Sequence, residues 1–462
     1  MGYRIREITE ESKFSSMVTL DALSHAVPRT AIEAVLQEEG AMEQRERKLS
    51  MVMVVFALIA MHLDTHVSLG AVLRKISRGL RFLWPDPEIA VPTASALSYR
   101  RYQLGARPLV TLFHRVCRPL ATEQTKGAFL YGLRLMAIDG TTENVPDTPA
   151  NAAAFGRHHT DRGQSAFPQV QCVYLAECGT HAIVDAGVWP CHTSERVGGR
   201  RMVRSVEAGM LVLWDCGFHE YDLLAAVQRR GAEVLARLPA HVRPQRVRSL
   251  PDGSYLAYLR PAEYRRRKAG ERLLVRIIEY TITDPALVGY GAVHRLVTTL
   301  RDPVLAPALD LVCAYHERWE IELVVDEIDT HQRLCARTLR SLQPVGVIQE
   351  LYALLLAHYS IRVLMHEAAL QADVDPDRLS FVHALRVLQD ALPEFQMVAP
   401  EQRDSLYRRL LRDIAAQQLP ERRPRVNPRV VKRKMSNFPL KRPEHLHPPP
   451  LRQPFCAAVA LI

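Results

Sequence analysis

The chain lacks any CxxC pair: its eight cysteines, Cys117, Cys172, Cys178, Cys191, Cys216, Cys313, Cys335 and Cys456, are scattered. That distribution excludes a disulfide framework and a zinc ribbon. Cys172, Cys178, His181, Cys191 and His192 are neighbours in sequence, but their spacing matches no common zinc finger, so no zinc site is expected of them. A GxxxxGK[ST] phosphate loop is also missing, and with it any pointer to ATP. The longest apolar run, Met51 to Leu63, falls short of the roughly 20 residues needed to cross a bilayer. No charged-then-apolar leader opens the chain. The run is expected to be a buried helix in a soluble cytoplasmic protein.

What is present is apolar content and positive charge. A chain of 462 residues that is 48% hydrophobic can bury several cores, so roughly two to four structural units are expected. Its formal net charge is +10 and its pI about 9.3, carried mostly by arginine. This balance favours a polyanionic partner such as nucleic acid, with an anionic membrane surface as the rival.

From Glu7 to about Pro119 the pattern is helical, broken at Pro28, Pro85, Pro87, Pro92 and Pro108. Within it, Ser95 to Gly105 precedes a second helix from Pro108 to Arg118, a spacing that suits either a helix-turn-helix or simply two packed helices. The texture changes at Leu133. Leu133 to Gly140 is an apolar run closing on Asp139-Gly140, and Gln169 to Leu175 and His181 to Val188 follow as strands around a turn at Glu177 to Gly179. Met210 to Asp215 is another apolar run ending in an aspartate, with a helix expected over Tyr221 to Arg230. The core is therefore read as mixed α/β.

Between about Ala240 and Leu300 the chain looks like a β-rich insertion, with strands over Tyr255 to Leu259, Arg272 to Thr283 and His294 to Thr299 and a Pro-Asp-Gly turn at 251 to 253. It carries Arg243, Arg246, Arg248, Arg260 and the run Arg265, Arg266, Arg267, Lys268, which either follow a phosphate backbone or form a solvated face. Helical pattern resumes from Pro307 to about Gln418. The segment Arg422 to Arg442 then holds nine Arg or Lys and reads as a mobile basic arm.

Asp139 and Asp215 each end a strand candidate, where an open α/β sheet points side chains into a crevice beyond the strand ends. A third acid is marked by its helix. At about 100° per residue, Tyr315, Arg318, Glu322, Asp326, Asp329 and Arg333 lie within roughly 40° of Glu322. Such a stripe serves either as an intrahelical salt-bridge face or as a row turned to metal and phosphate. Trp319 points to another face and is expected to pack in the core.

Tyr315, two residues, Arg318, three residues and Glu322 resemble the Y-(2)-R-(3)-E part of the signature of the insertion sequence 4 family of DDE transposases. Ala137-Ile-Asp139-Gly140 resembles the strand of that family's first aspartate, and Trp214-Asp215-Cys-Gly-Phe218 that of its second. Val297 to Pro303 and the β-rich insertion before the glutamate are similar too.

The resemblance implies a ribonuclease H-like core, magnesium dependence with manganese as a substitute, and cut-and-paste transposition by a homodimer on paired transposon ends. It makes Asp139, Asp215 and Glu322 the catalytic metal ligands, Asp139 shared between two ions, and sets Tyr315 and Arg318 against DNA phosphates. It also implies a division into a helical DNA-binding domain (1–125), a catalytic core (126–239), the insertion (240–303), the glutamate helix (304–345), a helical region (346–420) and a basic proline-rich tail (421–462). Its expected partners are the terminal inverted repeats and target DNA, in the cytoplasm at the nucleoid and with no membrane. A DNA-binding relative without catalysis, or a nuclease that does not join ends, stays open. One departure stands out: where the family signature has a lysine, this chain has Asp329. Either Arg333, a turn later, takes over phosphate contact, or an aspartate here pairs with a neighbouring arginine.

Overall fold

The computed structural model describes residues 3–6, 21–45, 49–64, 68–76, 83, 92–160, 163–285, 287, 289–316, 319–334, 338–420, 442 and 454–462. The chain opens with helices α1 (Arg29–Glu38), α2 (Met51–Ala60), α3 (Leu69–Ile76), α4 (Ala94–Leu104) and α5 (Arg107–Val116). Next come β1 (Phe129–Leu130), β2 (Leu133–Asn144), α6 (Pro149–Phe155), the short strands β3 (His159–Thr160) and β4 (Gly163–Gln164), β5 (Gln169–Glu177) and β6 (Ile183–Pro190). Helix α7 (Glu195–Met202), β7 (Met210–Trp214), α8 (Tyr221–Arg229) and β8 (Glu233–Arg237) lead into β9 (Gln245–Ser249), β10 (Tyr255–Leu259), α9 (Tyr264–Lys268), β11 (Leu273–Ile282) and β12 (Val293–Thr298). Helices α10 (Ala308–His316), α11 (Trp319–Asp326), α12 (Pro344–Ala372), α13 (Phe381–Met397) and α14 (Arg403–Ala415) follow, and β13 (Val459–Leu461) closes the chain.

Two compact units form, and neither is continuous in sequence. One comprises residues 129–139, 195–320 and 419–462. Here β2 pairs with β7 and β7 with β8, both parallel. Strands β12, β11, β10 and β9 then extend the ladder from β8 in antiparallel steps, and β13 adds to β11. Strand β7 is buried along its whole length, as its unbroken Met-Leu-Val-Leu-Trp run requires of a parallel strand covered on both faces. The expected insertion strands at 255–259, 272–283 and 294–299 match β10, β11 and β12 within a residue at each end. Strand β9 escaped the sequence because Gln245-Arg-Val-Arg-Ser249 is wholly exposed and so has no buried face to alternate with.

The other unit comprises residues 1–128, 140–194 and 321–418. Its core is helical. Every residue of α2 is buried, which bears out the reading of the Met51 run as a core helix. Ser50 caps it by accepting the Met53 N–H at 3.3 Å. Helix α12 is long and apolar enough to cross a membrane by length and composition alone, but 94% of its most apolar 18-residue window is buried inside the protein. It is the hydrophobic axis of this unit. Strands β5 and β6 pair antiparallel and lie beside the distal half of β2, where Gln169 Nε2 donates to Asn144 Oδ1 at 2.9 Å. With parallel β2–β7–β8 pairing in one unit and antiparallel β5–β6 pairing in the other, the fold is the mixed α/β, ribonuclease H-like class expected above.

The pair α4 and α5 takes the packed alternative. Leu109, Leu112 and Phe113 of α5 are buried, and Phe113 stands edge-on to Tyr352 of α12 at 5.5 Å. Arg101 donates to Gln349 Oε1, Ser341 Oγ and the Gly346 carbonyl at 2.8, 2.7 and 2.6 Å, while Arg107 and Arg115 pair with Glu39 and Glu38. Arg101 is thus paired within the unit, while Arg107 and Arg115 pair at its surface. The basic arm expected at 422–442 lies outside the described residues, Arg442 excepted.

The glutamate-bearing helix does not run on as one α-helix. After α11 the backbone takes a π turn over Glu327–Gln332, which shifts the angular phase assumed for Asp329 and Arg333. Glu327 faces inward there. Its carboxylate accepts from His181 Nδ1 at 2.9 Å, His358 Nε2 at 3.0 Å and Arg362 Nε at 2.9 Å. Burial pushes Glu327 up, but Arg362, His181 and the histidine hydrogen bonds more than offset it, and the carboxyl sits well below its ordinary range. His181, itself in the left-handed region at φ 57°, also reaches Asp377 Oδ1 at 3.3 Å. Replacing Glu327 with Gln should cost about 3–5 kcal/mol, because it strands a buried guanidinium. Urea unfolding at neutral pH measures this, and a loss below about 1 kcal/mol would contradict the assignment of the cluster as the anchor of the π turn.

Candidate active site

The parallel ladder sets the first two acids. Residues 134 to 137 of β2 pair with residues 210 to 213 of β7 in strict register. Carried two residues further, the same register puts Asp139 level with Asp215, on strands about 4.8 Å apart. Both are half-buried: Asp215 directly follows the carboxyl end of β7, whereas Asp139, expected at a strand end, lies within β2, which runs on to Asn144, at the point where its buried run Leu135–Ile138 stops.

Asp215 is held from behind. It caps the single 3₁₀ turn Cys216–Phe218, its Oδ1 accepting the Gly217 N–H at 2.8 Å. Position 217 is tight: a Cβ there would stand 3.0 Å from Asp215 Oδ1 and 3.3 Å from Glu195 Oε2, so any larger residue must shift those carboxylates. Glu195, at the start of α7, therefore brings a further carboxylate beside Asp215, a residue that sequence reasoning missed because nothing in its neighbourhood marks it. Arg196 Nε donates to the Gly217 carbonyl at 3.3 Å and fixes the same turn. His219 beyond it is held down at about 4 by burial and by Arg196, so it is neutral at physiological pH.

Tyr315 comes to the same strand end. From the last turn of α10 its hydroxyl donates to the Trp214 carbonyl at 3.4 Å, one residue before Asp215. The ring is nearly buried, at 9% exposure. Asp139, Asp215 and Tyr315 are thus brought together within one compact unit. Arg318 lies outside the described residues. Glu322 is on α11, half-buried, in the unit that takes up the chain again at Ile321. Carboxylate oxygens are hard donors suited to magnesium or manganese and poorly suited to soft metals, so the donor set fits a divalent cation of that class.

Asp329 and Arg333 resolve the departure noted in the sequence. Arg333 is buried at 7% exposure, its Nη1 bonded to Glu143 and to Asp329 Oδ1, the latter at 3.0 Å. In this structure Arg333 forms an internal ion pair with Glu143 and Asp329. Arg266 is also engaged, bridging Asp222 and Glu271 at 2.7 Å each. Arg265, Arg267 and Lys268 remain exposed on α9, beside exposed Arg243, Arg246, Arg248 and Arg260.

One guanidinium cannot neutralise two carboxylates. Burial, with Asp329 alongside, pushes Glu143 up to about 8 in spite of Arg333. The sign follows: between an ordinary carboxyl value near 4.5 and this raised one, only the unfolded chain has lost the proton. Stability from this group is therefore full below about pH 4.5 and declines as pH rises through about 8. Denaturant unfolding from pH 5 to 8 should show that decline in the wild type and a flatter profile in Glu143→Gln; parallel profiles would refute it.

With this geometry in hand, comparison with known proteins is direct. A family model described as the insertion element 4 transposase N-terminal matches residues 17–114, and one described as the transposase DDE domain matches residues 131–359. The chain is 28% identical over 426 residues to the transposase InsG for insertion sequence element IS4 of Escherichia coli (strain K12), covering 91% of this chain and 93% of that one. It is 30% identical over 147 residues to the putative transposase InsZ of the same organism, spanning 32% of this chain and 49% of that protein. Among solved structures, the piggyBac transposase in a synaptic complex with hairpin DNA aligns over 88% of this chain and 84% of that one, at 14% identity and a TM-score of 0.42. The two family models, with the near full-length InsG match, place the chain in the insertion sequence 4 family of DDE transposases, enzymes that cleave and join DNA with divalent metal ions.

Proposed function

We propose that Asp139, Asp215 and Glu322 are the three metal-holding carboxylates of this transposase, with magnesium as the working ion and manganese able to replace it. The observation that carries this reading is the register of β2 against β7, which, carried two residues on, sets Asp139 level with Asp215 at the end of β7, where Tyr315 is also seated. The three carboxylates would hold the ions between them. When bound, such an ion pair activates the attacking hydroxyl and stabilises the leaving oxygen of an in-line phosphoryl displacement. The protein's own part is to hold the carboxylates at fixed positions. The Gly217 amide fixes the rotamer of Asp215, and the Trp214 carbonyl fixes the Tyr315 ring beside it. Arg318 supplies a bidentate contact to phosphate next to the scissile bond. The substrates in this reading are terminal inverted repeats and target DNA, bound by a homodimer on paired ends, with the exposed cations of the insertion tracking the backbone.

Asp139→Asn, Asp215→Asn and Glu322→Gln should each lower magnesium-dependent strand cleavage at cognate ends by roughly 100- to 1,000-fold or more, with end binding retained. An E322Q enzyme that cleaves and transfers strands at the wild-type rate would remove Glu322 from the site. Gly217→Ala, which touches no substrate, should slow cleavage by roughly 10- to 100-fold by displacing the Asp215 and Glu195 carboxylates. Replacing Arg265, Arg267 and Lys268 with Ala should flatten the salt dependence of DNA binding, by about 0.9 in log–log slope for each phosphate no longer neutralised. An unchanged slope would exclude α9 from the interface.

A further inference from the structure

Away from the carboxylates, the helical unit gathers a second set of metal-binding atoms. One imidazole nitrogen each of His158 and His192 and the Sγ of Cys191 lie within 4.8 Å of one another. We infer that His158, Cys191 and His192 form a zinc site separate from the carboxylate site.

The chemistry of the donors selects the metal. A thiolate with two imidazoles is a borderline-soft set that favours zinc over magnesium or calcium, whose ligands are oxygens. With Zn–S near 2.3 Å and Zn–N near 2.1 Å, neighbouring ligand atoms in a tetrahedron stand about 3.4–3.8 Å apart. Atoms that already lie within 4.8 Å of one another need a closure of about 1.4 Å at most, which rotations of the two imidazoles provide. The rings are disposed for this: their centroids are 6.1 Å apart with planes at 76°, so they converge on an edge instead of stacking.

The backbone prepares the site before any ion arrives. The Cys191 N–H donates to the Phe155 carbonyl at 2.9 Å, tying the end of β6 to the end of α6. The Gly156 carbonyl accepts the Gln169 N–H at 3.0 Å, and the His158 carbonyl accepts the Ser165 N–H at 2.9 Å. Gly156 sits at the mouth with φ 77°, where a Cβ would come 3.1 Å from His192 Nε2 and 3.4 Å from Cys191 Sγ. A side chain at 156 would crowd the space in which the ligands meet. Cys191 is buried, His158 half-buried and His192 exposed, so the ion would have three protein ligands and a fourth position open to solvent. It would staple the β3–β4 segment to the end of β6.

Spacing could not reveal this set. His158 is remote from the Cys191-His192 pair in sequence, while His181 is committed to Glu327 and Asp377.

The test uses the full-length protein, stripped with a chelator and titrated with zinc against a chromophoric competitor in excess magnesium. One equivalent of zinc should bind. His158→Ala, His192→Ala and Cys191→Ser should each weaken it by more than the roughly 10- to 100-fold that loss of an outer-shell partner costs. Cobalt in place of zinc should give a thiolate charge-transfer band that Cys191→Ser abolishes. Asp139→Asn/Asp215→Asn and Cys456→Ser should bind zinc as the wild type does, which separates this site from the carboxylates. Because His192 is exposed, H192A keeps the test open if C191S fails to fold. Absence of stoichiometric zinc binding, or binding unchanged in H192A, would overturn the assignment.

Discussion

The parallel pairing of β2 with β7 is the constraint on which the catalytic geometry rests. Two carboxylates of the same charge resist being held about one strand spacing apart, and an exposed loop would let them separate. Here each follows a completely buried pair of strand residues, Ala137-Ile138 in β2 and Leu213-Trp214 in β7. The hydrophobic energy of those strands, on the order of 1.5–3 kcal/mol per buried large side chain, is what sets the acids side by side. Gly217 then lets the backbone close on Asp215 from below, and Tyr315 approaches from α10.

A second constraint governs the helix that carries Glu322. Five residues past that glutamate, Glu327 is buried with one arginine and two histidines, and the backbone takes a π turn to deliver it there. Buried charge of this kind is expensive unless every lone pair is matched. The Glu327 carboxylate accepts from three separate positions: one in the β5–β6 turn and two on α12. The neighbouring Glu143–Arg333–Asp329 group repeats the pattern with one arginine between two acids. Together they show why a residue of reversed charge is tolerated at Asp329. The aspartate is the counterion of an arginine buried in the fold, so the position serves the architecture of the helix.

The exposed cations of the insertion follow a different logic. The insertion leaves β9 as an exposed edge strand with Arg246 and Arg248, and α9 presents Arg265, Arg267 and Lys268. Arg246 and Arg272 lie over the rings of Tyr255 and Tyr258 at 4.4 and 4.1 Å, so their cations are oriented by aromatic faces of the insertion. Charge on an edge also discourages pairing with another sheet. One surface thereby answers both the solubility of a β-rich insertion and the approach of a polyanion.

What the sequence by itself determined is local and periodic: the buried runs of β2 and β7 ending in aspartate, the insertion strands, the apolar helix α2, and the Tyr315–Arg318–Glu322 spacing with the family it resembles. These were legible because an apolar run of strand length, or a fixed offset on a helix, is a property of neighbouring residues. The tertiary structure alone decided which charges meet. The pairing of Arg333 with Glu143, the approach of Glu195 to Asp215, the commitment of His181 to Glu327 and the gathering of His158 with Cys191 and His192 all join residues distant in the chain. Even the stripe through Glu322 failed past Asp326, because a buried glutamate drawn to partners on other elements outweighed the α-helical repeat. Such encounters depend on which strands and helices become neighbours, and that is settled by burial summed over whole elements, not by any single residue's place in the order.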